Sequence, residues 1–264
     1  MTNVSAFTPI GRIAELAAHL AARPDETAKD DRDRLAELAA GLDAYPASVT
    51  SGPSPALAAL EAATRSEDWA QHYETDETSV PLQNSMLSGN FEGQFLQTLL
   101  GFGGARRALE IGLFTGFGAL AMAEALPDDG RVVALEIDAF AADFARKQFD
   151  TSPHGHKIEI RVAPAAESLA ALANEGARFD FIFIDADKTG YWSYYETILD
   201  RDLLAEGGLI AVDNTMLGGE AWREADRGEM GAAIAEFNRK LMADERTRQV
   251  LVPIRDGVTL IRRA

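Results

Sequence analysis

The sequence predicts an α/β protein in which a mostly parallel, doubly wound sheet ends in an antiparallel hairpin and follows a helical N-terminal extension. From about residue 90, short apolar runs alternate with helical stretches of about 10–15 residues, which is the pattern of βαβ units. Near the C-terminus, the apolar runs VLVPI and VTLIR flank Arg255-Asp256-Gly257, where Asp-Gly is a strong turn signal. Before residue 80 the chain is rich in alanine and carries leucines at helical spacing.

Each element of this fold has its own signal. The N-terminal extension, residues 1–80, has helical spacing that is broken at Pro24, at Gly41–Pro46 and at Ser51–Pro55. We interpret it as a cover over the main domain, residues 81–264, or as a dimer contact, because it carries no cluster of titratable groups. The predicted strands are Ala108–Ile111, Arg131–Ile137, Lys157–Val162, Phe179–Ile184 and Leu209–Val212. The predicted helices are Phe117–Leu126, Ala139–Phe149, Ala165–Asn174 and Tyr191–Leu203.

Length and composition exclude several classes of protein. A chain of 264 residues fits one large domain with an accessory segment, since domains average about 150 residues. Hydrophobic residues at 47% and charged residues at 25% are typical of a soluble globular protein. The absence of cysteine excludes disulfides, thiolate metal sites and cysteine nucleophiles. The N-terminus has no signal-peptide pattern and no run of about 18 apolar residues occurs, so we expect a cytoplasmic protein without membrane spans.

The net charge of the chain indicates which kinds of partner and substrate it can bind. Lys and Arg together number 25 against 42 Asp and Glu, which gives −17 at pH 7. Nucleic acids are bound through clustered cations, so we expect no nucleic-acid partner. The same negative field disfavours polyanionic small substrates and favours neutral or cationic ones.

Three glycines, Gly112, Gly116 and Gly118, lie between the first predicted strand and the helix that follows it. Glycines in such a loop let the backbone approach a ligand closely, and the helix start offers free N–H groups. The spacing G-x3-G-x-G differs from the G-x-G-x-x-G of dinucleotide binders, and a tight βα turn is the alternative. Glu136 ends the second strand twenty positions after Gly116, where open α/β nucleotide sites place the carboxylate that binds a ribose diol. A surface acid is the alternative for that residue.

Acidic and amide residues terminate the fourth and fifth predicted strands. The run FDFIFI is followed by Asp185, Asp187 and Lys188, and the run LIAV by Asp213 and Asn214. In a parallel sheet both ends point to the edge where ligands bind. Asp185, Asp213 and Asn214 would present three oxygen ligands there, a set that suits a hard cation such as Mg²⁺. The alternative is that each acid caps the helix that follows it.

Lys188 lies three residues after Asp185 and is therefore expected beside the cation. A partly desolvated lysine beside a cation loses its proton more readily and can act as a general base. A surface lysine is the alternative.

Four segments carry a family resemblance: MLSGNFEGQFL, LEIGLFTGFGALAMAEALPDDGR, FDFIFIDADKTGYWSYY and AVDNTMLGG. They are similar to the cation-dependent small-molecule O-methyltransferases, the family of caffeoyl-CoA and catechol O-methyltransferases, from about residue 80 to the C-terminus. The resemblance implies a seven-stranded S-adenosylmethionine-dependent fold, a divalent cation expected to be Mg²⁺, and a homodimer. It also implies methyl transfer from S-adenosylmethionine to a hydroxyl of a small ring with adjacent oxygens.

The resemblance assigns roles residue by residue. Cofactor-binding positions are implied for Met86, Ser88, Glu110, Gly112, Gly116, Gly118, Glu136, Ala165, Asp185, Asp187 and Tyr194. The implied metal ligands are Asp185, Asp213 and Asn214, and the implied catalytic residues are Lys188, as the base, and Asp185. Gly118 departs from the family pattern, because plant members often carry serine there. A cofactor hydrogen bond is therefore lost or supplied by backbone.

A narrower resemblance includes part of the N-terminal extension. The segments AAGLDAY, EDW, SPHGHKI and VLVPIRDGVTLIRR are similar to the O-methyltransferases of the mycosporine-like amino acid pathway, which methylate demethyl-4-deoxygadusol. Catechols and caffeoyl-type acceptors are the alternative, although the net charge disfavours a coenzyme A thioester. Two other classes stay open. A nicotinamide oxidoreductase is disfavoured by the glycine spacing and the terminal hairpin, and a non-catalytic S-adenosylmethionine-binding module would not need the acid and lysine cluster.

Overall fold

The structure, a computed structural model, describes residues 9–22, 29–225 and 227–264. These residues form two compact units, which divide between Gly52 and Pro53. The second unit therefore contains the last part of the predicted N-terminal extension as well as the main domain. The domain boundary at residue 80 itself stays a prediction.

The first unit contains two packed helices, α1 (Pro9–Ala22) and α2 (Lys29–Ser48). The predicted break at Gly41–Pro46 is wrong, because α2 continues through both residues. Pro46 lies in the last turn of the helix, where its missing N–H costs a single hydrogen bond. Gly41 lowers helix stability by only about 1 kcal/mol relative to alanine. The predicted break at Pro24 lies outside the described residues.

The second unit begins with α3 (Pro55–Ser66) and α4 (Trp69–Glu74). The predicted break at Ser51–Pro55 is confirmed, since α3 starts at its end. The Ser54 side chain caps α3 by accepting a hydrogen bond from Leu57 N at 3.1 Å. The proline that follows occupies the first helical position, where an N–H would have no partner within the helix.

A seven-stranded sheet in the second unit confirms the predicted fold class. The strands are β1 (Arg107–Ile111), β2 (Arg131–Glu136), β3 (Ile158–Val162), β4 (Phe179–Ile184), β5 (Leu204–Val212), β6 (Thr247–Val252) and β7 (Val258–Arg263). In the order β3-β2-β1-β4-β5-β7-β6, the pairs from β3 to β5 are parallel. β7 pairs antiparallel with both β5 and β6, so the sheet ends in the predicted hairpin.

Helices cover both faces of the sheet. They are α5 (Gly89–Gly103), α6 (Phe117–Ala125), α7 (Ala139–Phe149), α8 (Ala165–Asn174), α9 (Tyr191–Asp200) and α10 (Glu229–Ala243). One face packs against α3 and α5–α7, around Phe117 and Phe183. The other packs against α8–α10, around Tyr195 and Phe237, so the sheet is doubly wound as predicted. Across the described part of the chain, every helix lacks the length and apolar character that a bilayer crossing requires.

The start of β5 differs from the prediction. The strand begins at Leu204, five residues before the predicted start at Leu209. Its first half contains Gly207, at φ +74°, which weakens the strand pattern in the sequence. A register shift between Phe179 and Phe181 in β4 accommodates this irregular half.

Candidate active site

The carboxyl ends of β4 and β5 lie side by side at one edge of the sheet. The backbone ladder extends one residue past each strand: Asp185 N donates to Ile111 O at 2.9 Å, and Asp213 N donates to Ile184 O at 2.9 Å. Asp185 and Asp213 are therefore the first residues beyond neighbouring parallel strands. They lie at the edge where open α/β folds bind their ligands.

Lys188 forms hydrogen bonds with the polar side chains at this edge. Its Nζ donates to Asp185 Oδ1 at 3.0 Å, to Asn214 Oδ1 at 2.7 Å and to the Tyr191 hydroxyl at 2.7 Å. The Tyr191 hydroxyl in turn donates to Asp213 O at 3.1 Å. Burial raises the pKa of Tyr191 well above its ordinary value, so this hydroxyl stays a donor. The structure thus brings the predicted acids, amide and lysine together and adds Tyr191 to them.

Asp213 has a buried oxygen that lacks a donor. The residue is 5% exposed, and among the described residues its Oδ1 has no hydrogen-bond partner. Burial, followed by the charges of Glu92 and Asp185, raises the pKa of Asp213 well above its ordinary value. A hard cation would satisfy this oxygen together with oxygens of Asp185 and Asn214, so the donor set fits the predicted cation in type.

The Asn214 amide is a necessary part of the proposed cation-binding set. In the described part of the chain, His, Cys, Asp and Glu form no group of three that could hold a metal by themselves. A cation at this edge would therefore depend on an amide oxygen as well as on carboxylates, which is a ligand set that Mg²⁺ accepts. Asn214 adopts a left-handed backbone conformation, with φ +56°, directly after Asp213.

Glu92 and Arg255 also belong to this site, and sequence reasoning missed both. Glu92, on α5, is buried, and its Oε1 has no hydrogen-bond partner among the described residues. Its charge contributes to the raised pKa of Asp213. Burial and the charge of Asp185 raise the pKa of Glu92 to about 7, against the lowering effect of Arg255. Arg255 Nη1 donates to Glu92 Oε2 at 2.8 Å and also to Ser88 O. Glu92 stands in the EGQ segment and Arg255 in the predicted turn, but no sequence pattern links positions 163 residues apart.

Gly112 and Gly116 are required by packing within the protein. Gly112 has φ +96°, and a Cβ there would lie 2.0 Å from Asp185 O. Gly116 has φ +89°, and a Cβ there would lie 2.3 Å from the Phe149 ring on α7. Both glycines therefore let β1 and α6 approach their neighbours closely. Direct contact of these glycines with a cofactor stays a prediction.

Gly118 and Glu110 form a buried pair under the start of α6. A Cβ at Gly118 would lie 2.1 Å from Glu110 Oε1, which explains why serine does not fit here. The N–H of Ala119, one of the free N–H groups at the helix start, acts to lower the pKa of the Glu110 carboxyl. Glu110 is 1% exposed, and burial raises its pKa well above the ordinary value. The implied contact of Glu110 and Gly118 with the cofactor stays a prediction.

Glu136 holds the glycine loop in place. Its Oε2 accepts hydrogen bonds from Leu113 N at 3.1 Å and Phe114 N at 2.7 Å. Its Oε1 accepts from Ile137 N and Asp138 N, both at 2.9 Å. Burial raises the pKa of Glu136, while these backbone amides oppose the shift. A carboxylate offers about four acceptor positions, so binding a ribose diol would require exchange with some of the amides, and that role stays a prediction.

The other predicted cofactor residues lie on neighbouring segments. Asp187 is exposed and accepts hydrogen bonds from the Tyr194 hydroxyl and from Thr189 Oγ1. Ala165 is half-buried and begins α8 shortly after β3. Met86 is exposed just before α5. Tyr194 is therefore bonded to Asp187, and its direct contact with the cofactor stays a prediction.

An aromatic cluster packs against the glycine loop. Trp69 on α4 lies with its ring centroid 5.0 Å from that of Phe114 and 5.4 Å from that of Phe144. His72, one turn later, stacks on Phe140 at 4.2 Å. Phe114 itself has a strained backbone, with φ +50°. α4 thus helps to hold the loop that Glu136 bonds from the other side.

We expect His72→Gln to lower the melting temperature more at pH 6 than at pH 9. The His72 ring nitrogens lie 2.7 Å from Glu67 and 2.6 Å from Glu77, and these hydrogen bonds raise the pKa of His72. With a raised folded-state pKa, the stabilisation is full below the unfolded value of about 6.5 and disappears as the pH rises through the folded value. Thermal unfolding at both pH values measures it. An equal loss of melting temperature at the two pH values would assign the effect to packing of His72 against Phe140 alone.

Comparisons with known proteins identify relatives. A sequence profile of the O-methyltransferase family matches residues 63–264. A caffeoyl-CoA O-methyltransferase of Petroselinum crispum is 38% identical over 189 residues, covering 68% of this chain and 78% of that protein. A Podospora anserina methyltransferase solved with S-adenosylhomocysteine has a TM-score of 0.71 at 28% identity, covering 89% of this chain and 96% of that chain. The O-methyltransferase TomG of Streptomyces achromogenes, solved with S-adenosylmethionine, has a TM-score of 0.69 at 27% identity, covering 85% and 96%.

Proposed function

Because the chain belongs to the O-methyltransferase family and is an S-adenosylmethionine-dependent O-methyltransferase, we propose that its acceptor is a small ring with two adjacent oxygens, bound with the help of a divalent cation. One observation carries this proposal. Oxygens of Asp185, after β4, and of Asn214, after β5, accept hydrogen bonds from Lys188 Nζ. Asp213, which precedes Asn214, has a buried oxygen that accepts no hydrogen bond from the described residues.

Asp185, Asp213 and Asn214 would hold the cation, for which we propose Mg²⁺. When bound, such a cation stabilises the anion of a substrate hydroxyl. The proposed cofactor contacts are the residues that the family resemblance implies at the same edge. They are Met86, Ser88, Glu110, Gly112, Gly116, Gly118, Glu136, Ala165, Asp185, Asp187 and Tyr194.

Lys188 is the proposed proton acceptor. Lys188 Nζ can accept the proton of the reacting hydroxyl only as the neutral amine, after one of its three hydrogen bonds is given up and its lone pair is free. The substrate oxygen would then form a bond to the methyl carbon of S-adenosylmethionine. The carbon–sulfur bond breaks and S-adenosylhomocysteine leaves. Asp185 and Tyr191 orient the lysine through bonds of 3.0 and 2.7 Å. Its side chain is 12% exposed, which limits competition by water.

The proposed acceptor is demethyl-4-deoxygadusol, methylated to 4-deoxygadusol in mycosporine-like amino acid biosynthesis. The narrower sequence resemblance, which includes AAGLDAY in the N-terminal extension, supports it. The net charge of −17 supports a neutral acceptor over a coenzyme A thioester. Catechol or caffeoyl-type acceptors are the second candidate, favoured by the name of the Petroselinum crispum relative. The homodimer stays a prediction.

Release of S-adenosylhomocysteine tests this function. We would offer demethyl-4-deoxygadusol, simple catechols and caffeoyl-CoA, each with Mg²⁺ and with chelator, to the native protein and to Asp185→Ala. The expected result is turnover that both the chelator and the substitution reduce by about 10³-fold, since charge stabilisation by a cation supplies several kcal/mol of the barrier.

The control is Asp128→Ala, which removes an exposed acid in the turn before β2, at the opposite end of the sheet. It should have full activity. A preference for catechols would identify a different acceptor and leave the proposed cation-assisted methyl transfer unchanged. Turnover that survives both chelator and Asp185→Ala would contradict the role of the cation.

A further inference from the structure

The hairpin turn between β6 and β7, Arg255-Asp256-Gly257, lies at the active-site edge of the sheet. β5 and β7 are antiparallel, and Val212, the last residue of β5, pairs with Thr259 near the start of β7. The turn that precedes β7 is therefore a neighbour of Asp213, the first residue after β5. The terminal hairpin thus places its turn beside the proposed cation ligands.

The backbone of the hairpin turn and the Asp256 carboxylate hold the segment that follows those ligands. Gly257 O accepts hydrogen bonds from Thr215 N and Thr215 Oγ1, both at 3.0 Å. Asp256 O accepts from Met216 N at 2.9 Å, and Asp256 Oδ1 accepts from Gly218 N at 2.7 Å. These hydrogen bonds fix that segment to the turn.

The Arg255 side chain extends from the same turn to the cofactor side of the site. Its guanidinium donates to Ser88 O and, at 3.4 Å, to Leu87 O, which are backbone carbonyls between Met86 and α5. It also donates at 2.8 Å to Glu92 Oε2, in the first turn of α5. Arginine suits this arrangement, because its planar guanidinium offers five donors in a fixed fork.

The junction that Arg255 contacts has little other support. Ser88 is the N-cap residue of α5, but its side chain makes no capping hydrogen bond. Gly89, which follows, has φ +73°, and a Cβ there would meet nothing within 4 Å. Arg255 therefore supplies hydrogen bonds to a junction that neither a cap nor packing at Gly89 fixes.

We propose that Arg255 is a positioning residue for the cofactor site, which holds the backbone at Leu87 and Ser88 in the conformation that binds S-adenosylmethionine. This inference rests on the proposed function, in which Met86 and Ser88 contact the cofactor. One hairpin turn then supports both the cofactor side and the cation side of the site. Loss of the Arg255 side chain should weaken cofactor binding and not cation binding, since the other contacts of the turn do not involve that side chain.

The test is S-adenosylhomocysteine affinity, measured by calorimetry on the native protein, Arg255→Met and Arg248→Met. Arg248 lies at the far end of the same hairpin, where it donates to the carbonyls of Glu245 and Thr247. Arg255→Met should weaken the affinity about 10-fold or more, because a hydrogen bond from a charged group contributes on the order of tenfold to an equilibrium constant. Arg248→Met, the matched control, should have native affinity. Native affinity in Arg255→Met would overturn the proposal.

A double variant separates the backbone contacts of Arg255 from the charge of Glu92. Arg255→Met leaves the buried Glu92 carboxylate without its cation, and an unpaired buried charge destabilises its surroundings. Combining Arg255→Met with Glu92→Gln removes that charge. Because Leu87 O and Ser88 O still lack their donor, the double variant should bind S-adenosylhomocysteine as weakly as Arg255→Met. Native affinity in the double variant would refute the proposal, since the unpaired charge would then explain the loss.

Mn²⁺ binding, measured by electron paramagnetic resonance, separates positioning from general stability. Arg255→Met should bind Mn²⁺ no more weakly than the native protein. If Mn²⁺ and S-adenosylhomocysteine binding weakened to the same degree, Arg255 would act on the stability of the whole site and the proposal would be wrong. Absence of Mn²⁺ binding by the native protein would contradict the proposed cation, and the comparison of S-adenosylhomocysteine affinities would still decide the role of Arg255.

Met86→Ala tests the proposed cofactor contact on which the inference rests. It removes the side chain of an exposed residue just before the junction and should weaken S-adenosylhomocysteine binding. Weakened binding in Met86→Ala together with native binding in Arg255→Met would refute positioning by Arg255 and leave the proposed function unchanged. Native binding in both variants would contradict the proposed cofactor contacts, and the inference with them.

Discussion

Gly112→Ala is expected to lower the free energy of unfolding by about 3 kcal/mol or more and to abolish methyl transfer. The residue has φ +96°, and its Cβ would lie 2.0 Å from Asp185 O and 2.7 Å from Asp185 C. These are backbone atoms at the end of β4, so the alanine fits only if that strand end moves. Because Asp185 would move with it, the site would lose its geometry. Denaturant unfolding and S-adenosylhomocysteine release measure the two effects.

Gly176→Ala is a matched control. Gly176 has a similar positive φ, +71°, but a Cβ there would meet nothing within 4 Å. The substitution should therefore cost only the backbone penalty of about 1–2 kcal/mol and leave the activity unchanged. If both alanine variants lost the same stability and Gly112→Ala stayed active, the close approach to Asp185 would not explain the glycine.

Lys188→Met is expected to reduce kcat by about 10²–10⁴-fold, the usual contribution of a positioned acid or base. The methionine retains the length of the side chain but removes Nζ, which bonds to Asp185, Asn214 and Tyr191. S-adenosylhomocysteine affinity should change little, because no hydrogen bond of Lys188 reaches the glycine loop. Steady-state kinetics at saturating S-adenosylmethionine measure kcat, and calorimetry with S-adenosylhomocysteine measures its affinity.

Tyr191→Phe separates orientation of the lysine from its chemistry. It removes the hydroxyl that bonds to Lys188 Nζ and to Asp213 O but keeps the buried ring. We expect a smaller reduction in kcat than for Lys188→Met. Native kcat in Lys188→Met would contradict the role of the lysine as proton acceptor.

The strand ends explain why much of the site could be predicted. Asp185 and Asp213 directly follow buried apolar runs, and parallel strands place their carboxyl ends at one edge. Lys188 and Asn214 lie within three residues of them, so their convergence follows from local sequence alone. The Asp-Gly turn likewise predicts the hairpin, because only a few backbone conformations suit that dipeptide.

Contacts between distant segments could not be predicted in this way. Glu92 and Gly118 have no local pattern that reveals the residues they contact, which are Arg255 for the first and Glu110 for the second. Their roles depend on the packing of α5 and α6 against the sheet.

Two helices are absent from the sequence-based prediction. α5 contains four glycines, which lower its helix propensity, so tertiary packing and not local preference stabilises it. α10 does have helical spacing at Ile234, Phe237 and Leu241, and that signal could have predicted it.

During synthesis, the ribosome releases the terminal hairpin after every other strand of this sheet, although β7 lies inside the sheet between β5 and β6. Until residues 247–263 emerge, β5 is an open edge in the nascent chain and a template for pairing with other chains. Glu92 and Arg255, 163 positions apart, can meet only then, and contacts so distant in sequence slow folding. The nascent protein is therefore most exposed to aggregation in the interval before its hairpin inserts, and a chain truncated before β6 would remain in that state.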